Sequence, residues 1–196
     1  VLDLACGGGR HLQELIEAGY AAVGFDLSWT LLRSAVRRRS DLRLVRADMR
    51  ALPFCDRQFS ALVNFFTSFG YFESDDENLE VVREMARVME NGAPFLFDYL
   101  NVDRERKHLV AHEMKAQEGK TIEIDRWFNE SSGMFNKRIR IEGRSYLERV
   151  RGYDLDEIAT MFTSAGFVIG SSFGDFDGAS FGAESPRLIL VGKRVR

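Results

Sequence analysis

The chain has 196 residues, 45% hydrophobic and 29% charged, which is enough for one packed core and too few to make two domains the expectation. A net charge of -3 supplies no general attraction to a polyanion, so nucleic acid is not the expected partner. Apolar runs such as 59–66 and 93–97 fall short of the ~20 residues that cross a bilayer. Nothing resembles a secretory leader, and Cys6 and Cys55 form neither a disulfide framework nor a metal motif, so a cytoplasmic protein without a membrane partner is expected.

In chain order, Val1 to Leu4 read as an apolar strand, followed by Cys6-Gly7-Gly8-Gly9 and a helix with Leu12, Leu15 and Ile16 at helical spacing. Gly19 stops that helix, and Ala22 to Phe25 form a second strand ending at Asp26. Ser28 caps a helix whose expected inner face is Leu31, Leu32, Ala35 and Val36; the basic run Arg33, Arg37, Arg38 and Arg39 falls on its solvated side. Leu42 to Val45 make a third strand that leads into Asp48, and Phe59 to Phe65 a fourth. Ser74 with Glu77 is a capping box opening a long helix with Leu79, Val82, Met85, Ala86 and Met89 inward, which Asn91-Gly92 ends. Phe95 to Phe97 form the fifth strand.

From about 104 to 151 the rhythm changes to charged, alternating segments, Thr121 to Phe128 and Phe135 to Glu142, read as inserted antiparallel hairpins. Asp154 with Glu157 caps a last helix, with Leu155, Ile158, Ala159 and Phe162 inward, and strands at 167–171 and 188–191 complete the chain. Strands alternating with helices predict an α/β domain with a doubly wound, mostly parallel seven-stranded sheet and an antiparallel β-hairpin region after strand five. The chain is thus expected to be one domain, with a core of 1–103 and 152–196.

In such a sheet a ligand sits beyond the carboxyl ends of the strands, at the switch point beside strand one. Gly7 and Gly9 lie there, where glycine lets the backbone turn tightly and approach a ligand. Asp26 ends strand two, where a carboxylate can accept both hydroxyls of a ribose, and Asp48 ends strand three, where one can accept a hydrogen bond from an exocyclic amine. The third glycine of the dinucleotide fingerprint is missing, as is the Gly-Lys-Ser/Thr of a phosphate loop.

The run Val1-Leu2-Asp3-Leu4-Ala5-Cys6-Gly7-Gly8-Gly9-Arg10 resembles motif I of the class I S-adenosylmethionine-dependent methyltransferases, whose fold is Rossmann-like. The resemblance extends through Val23 to Ser28, Ala47-Asp48-Met49 with Leu52-Pro53-Phe54, and the capped helix before Asn91-Gly92. It implies S-adenosylmethionine as cofactor, with Asp3, Ala5, Gly7 and Gly9 around the methionine part, Asp26 at the ribose, Asp48 with Met49 at the adenine, and Leu27 also among the cofactor-binding residues. It places Asn64 and Phe65 against the cofactor by backbone. Ala5 stands where the family usually has its first glycine, and the helices that usually precede strand one are absent from the chain.

After strand four, Asn64-Phe65-Phe66-Thr67-Ser68-Phe69-Gly70-Tyr71 lacks the Pro-Pro-aromatic motif of DNA amino methylases. The segment is similar instead to the small-molecule branch, notably the amino-sugar N-methyltransferases, which also insert antiparallel strands after strand five. The expected activity is in-line methyl transfer to a small-molecule N, O or C acceptor, with the insert as a substrate lid or a homodimer surface. Tyr71, Asp98 and His108 are the candidate general bases. His108 and His112 at i, i+4 beside Glu113 are not in the zinc-protease order, and no metal is expected; Asp175 and Asp177 read as a plain turn, and Cys6 as an apolar filler. Two alternatives share the fold: an aminopropyltransferase, against which the absence of a paired-acid motif after strand four counts, and a cofactor-binding module without turnover.

Overall fold

The computed structural model describes residues 1–117 and 119–195. Strands β1 (Leu2–Leu4), β2 (Val23–Asp26), β3 (Leu44–Arg46), β4 (Leu62–Asn64) and β5 (Pro94–Leu100) alternate with helices α1 (Arg10–Glu17), α2 (Trp29–Arg38) and α3 (Asp75–Val88). A short helix α4 (Val102–Lys107) leads into β6 (His112–Gln117), β7 (Lys120–Asn129), β8 (Met134–Ile141) and β9 (Arg144–Arg151). Helix α5 (Leu155–Ser164), β10 (Phe167–Phe173) and β11 (Arg187–Arg194) follow.

The main sheet has seven strands in the order β10-β11-β5-β4-β1-β2-β3, parallel from β5 to β3 and antiparallel at β10 and β11. The expected mostly parallel, doubly wound sheet is therefore present. β1 lies between β2 and β4, so the chain leaves it in opposite directions and a crevice opens at its carboxyl end. Gly24 keeps α1 close to the sheet: a Cβ there would lie 2.7 to 2.9 Å from Leu12, Cys6 and Leu44.

Both expected capping boxes form, Ser74 with Glu77 at α3 and Asp154 with Glu157 at α5. The inner face of α3 is Asn78, Val81, Val82, Met85, Ala86 and Val88, with Leu79 only half-buried. Helix α2 buries only Leu32 and Ala35, and the expected Leu31 and Val36 are 46% and 44% exposed. The reason is its position at the sheet edge, where it packs on the small cluster of Leu12, Ala22, Ala35 and Leu42 and a narrow stripe suffices. On the other side, Phe95, Phe97, Phe162 and Phe167 interlock, with Phe97 and Phe162 centroids 4.9 Å apart.

The inserted region is larger than expected. It is a four-stranded antiparallel sheet, β6-β7-β8-β9, of which only the inner pair is read from the sequence. The outer strands β6 and β9 expose most of their side chains, so neither alternates in the way that marks a half-buried strand. Gly143 and Glu142, both at positive φ (73° and 48°), make the tight turn between β8 and β9. The Tyr99 hydroxyl donates to the Arg151 carbonyl, and the Arg151 amide donates to the Gly70 carbonyl at 2.7 Å, joining this sheet to the core.

Candidate functional site

The crevice at the carboxyl end of β1 holds a cavity of about 880 Å³. Its floor is the turn after β1, in which Ala5, Gly7 and Gly9 take left-handed backbone (φ 59°, 53° and 73°). Ala5 pays roughly 1 kcal/mol for that conformation and keeps the turn that glycine would make freely. Asp26, at the end of β2, fastens the turn from the side. Its Oδ2 accepts from the Gly7 amide at 2.8 Å and its Oδ1 from the Ser28 amide at 2.7 Å, which leaves each oxygen with a further acceptor position. Above Gly8, the Arg38 guanidinium donates to the Gly8 carbonyl.

Asp3 is 1% exposed, lines the cavity, and has an Oδ2 without a hydrogen-bond partner. Burial, followed by the nearby Asp26 charge, raises its carboxyl to about 7, against which a backbone hydrogen bond with Leu12 works. An orphaned acidic oxygen on a cavity floor calls for a cationic or donor group from a ligand. At the other end, Asp48 is gripped by Arg50, whose Nη2 donates to Oδ2 at 2.7 Å and whose backbone N–H donates to Oδ1 at 2.9 Å. That guanidinium holds the Asp48 carboxyl below the usual carboxylate range.

Of the residues expected at the cofactor, Asp3, Ala5, Gly7, Asp26, Leu27, Asp48, Met49 and Phe65 line this one cavity, with Leu27 60% exposed at its mouth. Gly9 and Asn64 are not among its lining. Gly9 caps α1, where a Cβ would press on Leu42 and Ala35 at 3.2 and 3.3 Å. Asn64 donates to the Leu4 carbonyl and to Ser68 Oγ, both at 2.8 Å, and so ties β4 to β1 and to the loop that follows.

A second cavity, of about 550 Å³, lies between this loop and the inserted sheet, and Phe66, Thr67 and Tyr71 line both. Phe66 and Thr67 are consecutive non-glycine residues in the left-handed region (φ 57° and 54°), an arrangement that costs roughly 1–3 kcal/mol each and needs outside support. Asp98 supplies it. Its Oδ2 accepts from the Phe66 amide at 2.7 Å and its Oδ1 from Arg187 Nε at 2.7 Å, while Arg187 also donates to Thr67 Oγ1 at 2.8 Å.

The three candidate bases therefore stand in different places. Asp98, expected as a candidate base, is 0% exposed, lines neither cavity, and has its carboxylate engaged by the Phe66 amide and Arg187. His108 lies in the second cavity, 3.5 Å from Glu184. Tyr71 stands where the cavities meet, its hydroxyl 3.5 Å from Glu148 Oε1. Burial and that carboxylate push its phenol to about 12, so at neutral pH Tyr71 acts as a hydrogen-bonding phenol rather than as a phenolate.

Several lining residues carry no signal in the sequence. His11 packs its ring on Phe65 and Phe66, with centroids 4.6 and 5.1 Å apart, and Phe176 approaches Phe66 at 6.3 Å. Burial and the neighbouring Arg10 charge lower the His11 pKa. Glu148 reaches the second cavity from a strand that the alternation pattern misses. Asp175 accepts from the Asp177 and Ala179 amides, both at 3.0 Å, and is the plain turn expected. Among the described residues His112, Glu123 and Asp125 lie close enough to share an ion, but Arg140 already neutralises both carboxylates, at 3.0 and 2.8 Å.

Residues 1–92, which carry the turn, Asp26, Asp48 and the strand-four loop, match the family described as "Methyltransferase domain". The match covers 92 of the 196 residues. Over 92 residues the chain is 36% identical to a dTDP-3-amino-3,4,6-trideoxy-alpha-D-glucopyranose N,N-dimethyltransferase of Streptomyces venezuelae, a match covering 47% of this chain and 38% of that protein. The matched segment thus spans well under half the length of that relative. The methyltransferase fold extends over the rest of the chain. An S-adenosylmethionine-dependent methyltransferase from Clostridium acetobutylicum superposes with a TM-score of 0.86 at 17% identity, over 100% of this chain and 83% of that one. The sugar N-methyltransferase KedS8 from Streptoalloteichus superposes with a TM-score of 0.75 at 22% identity, over 100% of this chain and 79% of that one.

Proposed function

We propose that this chain is the catalytic domain of an S-adenosylmethionine-dependent methyltransferase acting on a small-molecule acceptor, in the first instance an amine. The observation that carries the reading is the pair of carboxylates on one cavity, Asp3 with an orphaned oxygen and Asp26 with an acceptor position on each oxygen. They fit a ligand that presents an ammonium group and a vicinal diol. Asp48 stands at the same cavity as an acceptor for an exocyclic amine, and the left-handed turn brings bare backbone to the ligand. When bound, the cofactor supplies an electrophilic methyl group on a sulfonium.

The residues of this chain place the acceptor. The second cavity opens beside Phe66, Thr67 and Tyr71, so an acceptor seated there meets the first cavity at its rim. Holding a nucleophile in line with a methyl carbon supplies a large part of the rate of such a displacement. The Tyr71 phenol orients the nucleophile by a hydrogen bond, with Glu148 behind it to receive the proton that an amine sheds. In this reading 104–151 is an inserted acceptor wall in a single domain whose core is 1–103 and 152–196. The names of the sugar N-methyltransferase relatives support an amine acceptor, and the net charge of -3 supports a small molecule over nucleic acid. A second use of the insert, as a homodimer surface, is favoured by Tyr146 and Leu147, both exposed on the edge strand β9.

Calorimetric titration with S-adenosylhomocysteine tests the cofactor half. Saturable binding is expected, weakened about 100-fold in Asp26→Ala, which loses charged hydrogen bonds worth roughly 1.5–3 kcal/mol each. Methyl release with primary and secondary amines then tests the acceptor half. No binding to wild type sinks the cofactor assignment; binding without turnover on any amine moves the reading to oxygen or carbon acceptors or to a binding module.

A further inference from the structure

Asp48 is not a free carboxylate, and the way it is held bears on what it can recognise. The Arg50 backbone N–H and Nε both donate to Oδ1, at 2.9 and 3.1 Å, and Nη2 donates to Oδ2 at 2.7 Å. A carboxylate has about four acceptor positions, so three are filled and one remains, on Oδ2. Arg50 itself is not among the residues that line the cavity, whereas Asp48 and Phe72 are. Its guanidinium lies 4.4 Å from the Phe72 ring centroid and its Nη1 donates to Glu77, the residue that closes the capping box of α3. The fork is thus fixed from three sides: by Asp48, by an aromatic face and by a helix start.

We propose that Arg50 is a positioning residue that makes Asp48 selective for a base bearing an exocyclic amino group over one bearing a carbonyl at the same place. This rests on the cofactor reading above. With Arg50 in place the Asp48 carboxylate offers a single acceptor in a fixed direction. An N–H of a 6-aminopurine satisfies that position, and the oxygen of a 6-oxopurine is repelled by it. Without the fork the carboxylate is free to rotate, and its oxygens no longer present one acceptor in one fixed direction, so an amino group loses its aligned partner and a carbonyl can be accommodated with the carboxylate turned away. The loss is therefore one of discrimination as well as of affinity.

The experiment compares S-adenosylhomocysteine with S-inosylhomocysteine by calorimetric titration into wild type, Arg50→Ala, Arg50→Lys and Glu77→Gln, with thermal melts as a check on folding. Wild type is expected to favour the amino ligand by about 30-fold or more. Arg50→Ala is expected to cut that ratio about tenfold, and Arg50→Lys, which keeps the charge but not the fork, to fall between. Glu77→Gln keeps an oxygen for the cap and should lower the ratio only a few-fold. A merely structural role weakens both ligands alike, so an unchanged ratio in Arg50→Ala overturns the proposal. If that variant does not fold, unchanged ratios in both Arg50→Lys and Glu77→Gln overturn it. Wild type that binds both ligands equally removes the selective role of Asp48 while leaving the cofactor reading intact. Wild type that binds neither fails the cofactor reading and this inference with it.

Discussion

The two cavities share a wall at Phe66, Thr67 and Tyr71, yet they are made of different material. The first is made of strand ends: a left-handed turn, and carboxylates fixed by backbone amides or by a guanidinium fork. The second is made of long side chains on antiparallel strands, where Arg126 pairs with Glu113 and Lys137 with Glu148 across partly exposed surfaces. Ion pairs of that kind contribute roughly 0–1 kcal/mol each and exchange at little cost. The contrast teaches that the first cavity is shaped by main-chain geometry and the second by replaceable side chains. In the proposed reading, a constant methyl-donor site can thus coexist with many acceptors.

The most severe way to break the comparison is to remove the wall's support. Asp98→Ala deletes a buried carboxylate that holds both Arg187 and the Phe66 amide. With one partner of a largely buried pair gone, a loss of about 3 kcal/mol is expected, or about 6–12 °C in the melting temperature of a domain this size. A shift under 2 °C would show that the left-handed pair stands without it.

The next effect is on pH. Asp3, raised to about 7 by burial and by Asp26, is largely neutral below that pH in the free protein, and a cationic ligand favours its ionised form. Affinity for S-adenosylhomocysteine should therefore rise about tenfold between pH 6 and pH 8, with proton release detectable in buffers of different ionisation enthalpy. The same shift opposes stability: the unfolded chain loses this proton first, so Asp3 destabilises the free fold as pH rises from about 4 through 7. Affinity that stays flat from pH 6 to 8 would remove Asp3 from the ammonium's neighbourhood.

How much of this was legible in the sequence follows the same division. Gly7, Asp26 and Asp48 could be placed because a turn at positive φ and a carboxylate at a strand end restrict residue type at fixed spacing. Asp98 could be singled out, as a candidate base, but not its hold on Arg187, which lies 89 residues away and is brought to it only by the pairing of β5 with β11. The inner strands of the insert alternate and were found, while β6 and β9, exposed on most of their length, carry no periodicity. His11 and Glu148 reach the cavities through tertiary packing, and no local pattern marks them.

The smallest effects sharpen the comparison from the acceptor side. Tyr71→Phe should lower methyl-transfer turnover about tenfold, the worth of one oriented hydrogen bond, and leave S-adenosylhomocysteine affinity within twofold. His108→Ala, which removes an exposed ring paired with Glu184, should change turnover less than twofold. Steady-state kinetics beside the binding titration separate the two, and a Tyr71→Phe variant that loses cofactor affinity instead would place that hydroxyl on the donor side.

The inserted sheet also sets an order of assembly. Its strands are joined by short turns at 130–133 and 142–143, so its pairings are local and close on the fast timescale of hairpins. The main sheet must instead bring β1 to β4 across some sixty residues, as the bond from Asn64 to the Leu4 carbonyl records, and β11 back to β5 across about ninety. Loop-closure entropy places those steps later. On this topology the inserted sheet exists as hairpins before the crevice beside it, and the Asp98–Arg187 clasp, which holds the wall shared by the two cavities, is among the last contacts to form.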